Sequence, residues 1–213
     1  MISNDPVAIF HQRRSVRHFD PAYRMEKRVI LELLRLAGRA PSSWNLQHWK
    51  FVVFTEPEAK ARLLPIAMNQ RQVVDASAVI AVLGDLEANL NARKVHEPAA
   101  KAGLRDAYAG YDSYGTLMLQ IEQAYAVEPE AQYRRDEAIR NASLAAMQLM
   151  LAATAMGLDS GPMVGFDAGA FVREFRVPSR YIPVLLVAVG KAARPARPTA
   201  RLPVEETVVW NGF

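Results

Sequence analysis

The stretch from Asp136 to Met156 constrains the fold more than any other, because it is helix-forming and apolar on nearly every face. Ile139, Ala142, Leu144, Ala145, Ala146, Met147, Leu149, Met150 and Leu151 are spread around its circumference. A helix of this kind is buried on all sides. In a chain of 213 residues, the simplest cover for the last face is a partner subunit, so a homodimer is expected. Gly157 ends the helix. The most apolar part, Leu144 to Met156, is interrupted by Gln148 and is too short to span a bilayer.

Upstream, residues 26–38 carry Val29, Ile30, Leu33, Leu34 and Ala37 on one helical stripe, closed by Gly38. The runs 50–54 and 78–83 have the β-branched and aromatic content of strands, and 182–190 reads as a third buried strand. Thr55 and Glu58 are spaced as a capping box with Pro57 in the first turn, which predicts a helix running towards Met68. A short helix is predicted near 168–175, and the stretch between Gly157 and Asp167 reads as a loop. The tail from Arg194 onward is proline-rich and ends in a strand-like Val208-Val209-Trp210, the pattern of an arm that adds to another sheet. From about 86 to 135 charges are frequent, Pro98 and Pro129 punctuate, and Tyr108, Tyr111 and Tyr114 cluster. That excursion does not read as core. Its tyrosines form either a substrate lid or the packed face of a surface helix.

The inventory excludes several chemistries. With no cysteine there is no disulfide, thiolate nucleophile or iron–sulfur ligation. The histidines His11, His18, His48 and His96 lack metal-ligand spacing, so no metal is expected. Serine-hydrolase elbows, phosphate loops and dinucleotide GxGxxG fingerprints are absent. The net charge of +4 comes without a long basic run interleaved with aromatics, so neither nucleic acid nor membrane is an expected partner. The polar, basic N-terminus is not that of a secretory signal, which predicts a cytoplasmic protein.

Two stretches are dense in polar donors. In Arg13-Arg14-Ser15-Val16-Arg17, Arg14, Ser15 and Arg17 could converge on an anion, since guanidinium forks suit phosphate; a solvated basic turn is the alternative. Pro41-Ser42-Ser43-Trp44-Asn45-Leu46-Gln47-His48-Trp49 packs hydroxyls, amides and indoles ahead of a strand. Such a loop could edge a planar heteroaromatic ring, or be a structural turn.

Together the two stretches resemble the nitroreductase family of FMN enzymes, in which an RRSxR-like motif is followed by an APSSxNxQPW-like loop. Three more matches come in order: Asn69-Gln70-Arg71-Gln72 ahead of Asp75-Ala76-Ser77, Gly157-Leu158-Asp159 leading into Pro162-Met163-Val164-Gly165-Phe166-Asp167, and Arg201-Leu202-Pro203. The resemblance implies an α+β fold with a small central mixed sheet flanked by helices. It implies one domain over 1–213 with a variable excursion at about 86–135, and a dimer with a C-terminal arm.

The resemblance further implies non-covalent FMN, with NAD(P)H as co-substrate and nitroaromatic, quinone or similar small-molecule acceptors; the alternatives are a specialised flavin enzyme (a dehalogenase or enone reductase) or a non-catalytic FMN-binding protein. Arg13, Arg14, Ser15, Arg17 and Arg201 would hold the phosphate and ribityl chain, and Asn69 and Gln72 would face the pyrimidine. Pro162, Met163, Val164 and Gly165 would run past the central ring, with a backbone N–H at Val164-Gly165. Pro41, Ser42, Ser43 and Asn45 would reach the flavin from the other subunit. No side chain is assigned as a catalytic acid or base. The sequence departs from the family pattern at His48, usually proline; at Val164, often Glu or Gly; and at Gln72 and Thr199, where some relatives have lysine.

Overall fold

The computed structural model describes residues 7–104, 111, 113–127 and 130–213; Tyr108 lies outside them. In chain order the helices are α1 (Ala8–Gln12), α2 (Lys27–Ala37), α3 (Pro57–Ile66), α4 (Gln72–Asp75), α5 (Ala92–Lys101), α6 (Tyr114–Tyr125), α7 (Glu130–Ala155) and α8 (Ala168–Glu174). The strands are β1 (Trp49–Phe54), β2 (Ala78–Asp85), β3 (Asp159–Met163) and β4 (Tyr181–Gly190).

The strands form one sheet in the order β1-β2-β4-β3, and every neighbouring pair is antiparallel. The expected mixed sheet is thus corrected: the parallel pairing among the described residues is an isolated bridge between Ser15 and Ser160. The reason lies in the connections. Phe54, ending β1, pairs with Val79 at the start of β2. A connection that leaves and re-enters at one end of a sheet yields antiparallel neighbours.

Alternation along the central strands creates two cores. Ala78, Ile80, Val82, Val187 and Val189 face α2 and α7, while Val79, Ala81, Leu83, Leu186 and Ala188 face the layer of α3 and α8. Strand β2 is therefore buried on both sides. The α2 stripe behaves as read, burying Ile30, Leu33 and Ala37. Helix α7 fills the first core with Ala142, Ala146, Leu149, Met150 and Ala153, yet Leu144 and Met147 stay 43% and 40% exposed. Its burial on all sides is not achieved within one chain. Gly157 takes a left-handed φ of 69°, and Leu158 N donates to Ala153 O, which closes the helix in a Schellman-type turn.

Four further readings are corrected. Residues 159–163, read as loop, form edge strand β3; its small, polar DSGPM sequence lacks β-branched residues and pairs because β4 offers a free edge. The Thr55–Glu58 capping box does not form. Glu56 is the N-cap of α3, without a side-chain cap, and the Thr55 hydroxyl bonds Glu56 instead. Residues 208–210 make no strand and lie on the surface, with Trp210 83% exposed; no sheet edge of the same chain pairs with them. The excursion has a core of its own, where Ala88, Ala92, Leu117, Ile121 and Tyr125 close over Leu46.

Candidate cofactor site

The arginine turn runs beside β3. Val16 N donates to Ser160 O at 2.9 Å, and the Val16 side chain is buried. Its neighbours Ser15 and Arg17 therefore share the opposite, exposed face, as residues two apart do on extended backbone. This approach needs a glycine at 161, where a Cβ would overlap the Val16 carbonyl oxygen. Ser15 and Arg17 open into a cavity of about 550 Å³, whose far wall is Arg194, Arg197 and Thr199 from the segment after β4. Three guanidinium groups and two hydroxyls line it, with no carboxylate, a donor set that suits a phosphate dianion.

Not every predicted residue points there. The Arg14 guanidinium folds back onto the carbonyls of His11 and Arg13. Arg201 bonds Thr199 Oγ1 at 2.9 Å and its neighbour's carbonyl; neither arginine lines the cavity, and Arg13 sits half-buried at the entry to the turn. Arg194 and Arg197, which the sequence reading did not assign to the site, take their place. Arg194 also contacts His18 Nε2.

The same edge of the sheet carries the predicted ring-facing residues. Beyond β3, Val164 is 77% exposed and Gly165 is held by a hydrogen bond from Gln70 Nε2 to its carbonyl, 2.9 Å. The Gly165 N–H has no acceptor among the described residues. Gln70 belongs to the turn between α3 and α4, in which Met68 and Asn69 both have φ of 54°. Asn69 is exposed, whereas Gln72 is buried and bonds Gln70 Oε1. Arg13–Arg17, Asn69–Gln72 and Pro162–Gly165 are thus linked through β3 and Gln70.

The loop ahead of β1 lies elsewhere. Strand β1 is three steps across the sheet from β3, roughly 14 Å at about 4.8 Å a step. Trp44, Asn45 and Gln47 have φ of 48°, 54° and 56°, and left-handed backbone costs about 1–2 kcal/mol at a non-glycine residue. The surroundings hold it. Ser42 Oγ accepts from Gln47 N, and Asn141 Oδ1 on α7 accepts from Ser43 N at 2.9 Å. Asn91 Nδ2 donates to Leu46 O, and His96 meets Trp44 O at 2.9 Å. Trp44 Nε1 donates to Tyr111 Oη, and His48 Nε2 meets Tyr125 Oη at 2.6 Å. Burial pulls the His48 imidazole down to about 4, against a smaller upward pull from Asp85. Burial likewise raises the Tyr125 phenol. Of the predicted tyrosines, Tyr111 is tied to Trp44, and Tyr114 begins α6, half-buried.

Sequence reasoning missed Asn141, Asn91, His96 and Tyr125. One signal was present: Asn141 is the lone amide in the first half of the 136–156 stretch, four residues after Glu137, whose carbonyl and carboxylate both accept from it.

A four-stranded antiparallel sheet between helical layers, with an arginine turn locked to one edge strand and a polar loop at the other edge, defines an α+β protein equipped to hold a phosphorylated ligand. The sequence matches the nitroreductase family over residues 11–191, and the chain belongs to that family. It is 46% identical over 202 residues to YodC of Bacillus subtilis strain 168, named for NAD(P)H nitroreductase activity, covering 95% of this chain and 96% of that one. The CLA biosynthesis enone reductase of Lactiplantibacillus plantarum is 32% identical over 204 residues, covering 94% and 92%. Among solved structures, a nitroreductase-named protein of Exiguobacterium sibiricum 255-15 in complex with FMN superposes with a TM-score of 0.88 at 32% identity, covering 99% of both chains.

Proposed function

We propose that the protein is an FMN-dependent oxidoreductase that takes hydride from NAD(P)H and reduces nitroaromatic, quinone or similar acceptors. The observation that carries this is the carboxylate-free cavity faced by Arg17, Arg194 and Arg197, on the strand edge leading to Gly165, in a chain of the nitroreductase family. Ser15, Arg17, Arg194 and Arg197 hold the phosphate, while Arg13, Arg14 and Arg201 add positive charge from outside the cavity. Asn69 and Gln72 face the pyrimidine, and residues 162–165 pass the central ring.

The chemistry that FMN supplies when bound is acceptance of hydride and its onward transfer. The chain orients. Guanidinium groups neutralise the phosphate, Gln70 fixes the Gly165 carbonyl, and the Gly165 N–H is left for the ring. No side-chain acid or base is required.

We also assign the active form as a homodimer with shared sites. One chain keeps Pro41, Ser42, Ser43 and Asn45 at the sheet edge opposite Arg17, so they reach a flavin best on a second subunit. The exposed Leu144 and Met147 on α7, the outer edge of β1, unpaired among the described residues, and the exposed arm 208–210 each want a partner surface. Closed two-fold pairing is the commonest way to supply one.

Steady-state oxidation of NAD(P)H with a quinone tests the activity. Bound flavin without turnover would point instead to a protein that sequesters FMN. A specialised flavin reaction is the second reading, favoured by the enone reductase relative; a rate with a conjugated enone far above that with quinones would support it.

A further inference from the structure

His48 follows the left-handed turn ahead of β1, in which Gln47 has φ of 56°. Its restraint comes from 77 residues away: His48 Nε2 meets Tyr125 Oη at 2.6 Å, at the C-terminal end of α6. The imidazole is fully buried and its Nδ1 has no partner among the described residues, so within them the side chain's hydrogen bonding runs through Tyr125. Leu46, two residues earlier, is buried against Ile121 and Tyr125 in the third core. The excursion thus grips the loop from inside.

We propose that His48 and Tyr125 are positioning residues that hold the 42–47 loop in its flavin-contacting shape through their hydrogen bond to the excursion. This rests on the reading above that Ser42, Ser43 and Asn45 contact the flavin. The pair touches neither cofactor nor substrate; it acts through the loop.

The test is equilibrium titration of flavin-free protein with FMN and with riboflavin, with circular dichroism to show each variant folded. Tyr125→Phe removes one oxygen, and His48→Leu removes the imidazole. Each should weaken both ligands by about tenfold, the scale of one lost hydrogen bond. The two ligands should weaken alike, because the loop addresses the ring end. His48→Gln places an amide within reach of Tyr125 and should stay within about threefold of wild type. A purely structural role would lower the unfolding midpoint and leave the dissociation constants of folded protein unchanged.

Unchanged constants in Tyr125→Phe and His48→Leu, alongside lost affinity in a Ser42→Ala, Asn45→Ala variant, would overturn the proposal. So would a loss confined to FMN. If Ser42→Ala, Asn45→Ala also binds as wild type, the loop does not contact flavin, and the underlying reading falls with the proposal. Should Tyr125→Phe fail to fold, His48→Leu against His48→Gln decides alone.

Discussion

Individual residues here are read through their partners. Arg17 faces the cavity while Arg14 folds onto its own backbone. Arg17→Ala should thus weaken FMN about 10- to 100-fold, the worth of a charge-assisted bond, with Arg14→Ala well behind and riboflavin insensitive to both. Equal losses from the two would place the phosphate nearer Arg14. Burial holds His48 near 4 against an ordinary 6.5, so between those values the unfolded chain binds a proton that the folded one refuses. Stability then falls as pH drops through that window. Between pH 7 and pH 5 the wild type should lose about 2 kcal/mol more than His48→Leu, as read by denaturant unfolding; parallel losses would contradict a buried neutral histidine. Gly161→Ala drives a Cβ into the Val16 carbonyl and should cost upwards of about 3 kcal/mol, with the unfolding midpoint falling to match.

At the scale of elements, what the sequence made legible was what periodicity can carry. The α2 stripe and the runs that form β1, β2 and β4 all stand where local pattern put them. Strand β3 was illegible because DSGPM has no β-branched residue; its pairing comes from β4 and from Val16, both far away in sequence. The support of the 42–48 loop was hidden for the same reason, since Asn91, His96, Tyr125 and Asn141 lie 45 to 98 residues from their partners. The excursion's charges masked a core that exists only once Leu46 is inserted. Asn141 makes this testable. Asn141→Ala would strand the Ser43 N–H and remove the amide's bond to the Glu137 carboxylate, which keeps Arg140, and should cost about 1–3 kcal/mol, seen as a lowered denaturation midpoint. A neutral result would mean the loop holds itself.

For the whole molecule, the separation of the arginine turn and the polar loop across the sheet is what motivates the proposed site shared between two chains. Take one variant with Arg14→Glu and Arg17→Glu, and another with bulky residues at Ser42 and Asn45. Each alone should be inactive. In a mixed dimer the defects gather in one site, so activity should return to up to about half the wild-type rate if the sites are independent. Inactive mixed dimers would place each flavin within one chain. The most direct test of all is the visible absorbance of the purified protein titrated with FMN. A yellow protein whose flavin is released by heat or acid is expected, with one FMN bound per chain. A colourless protein that takes up no FMN would contradict the assignment of the arginine-lined cavity and everything built on it.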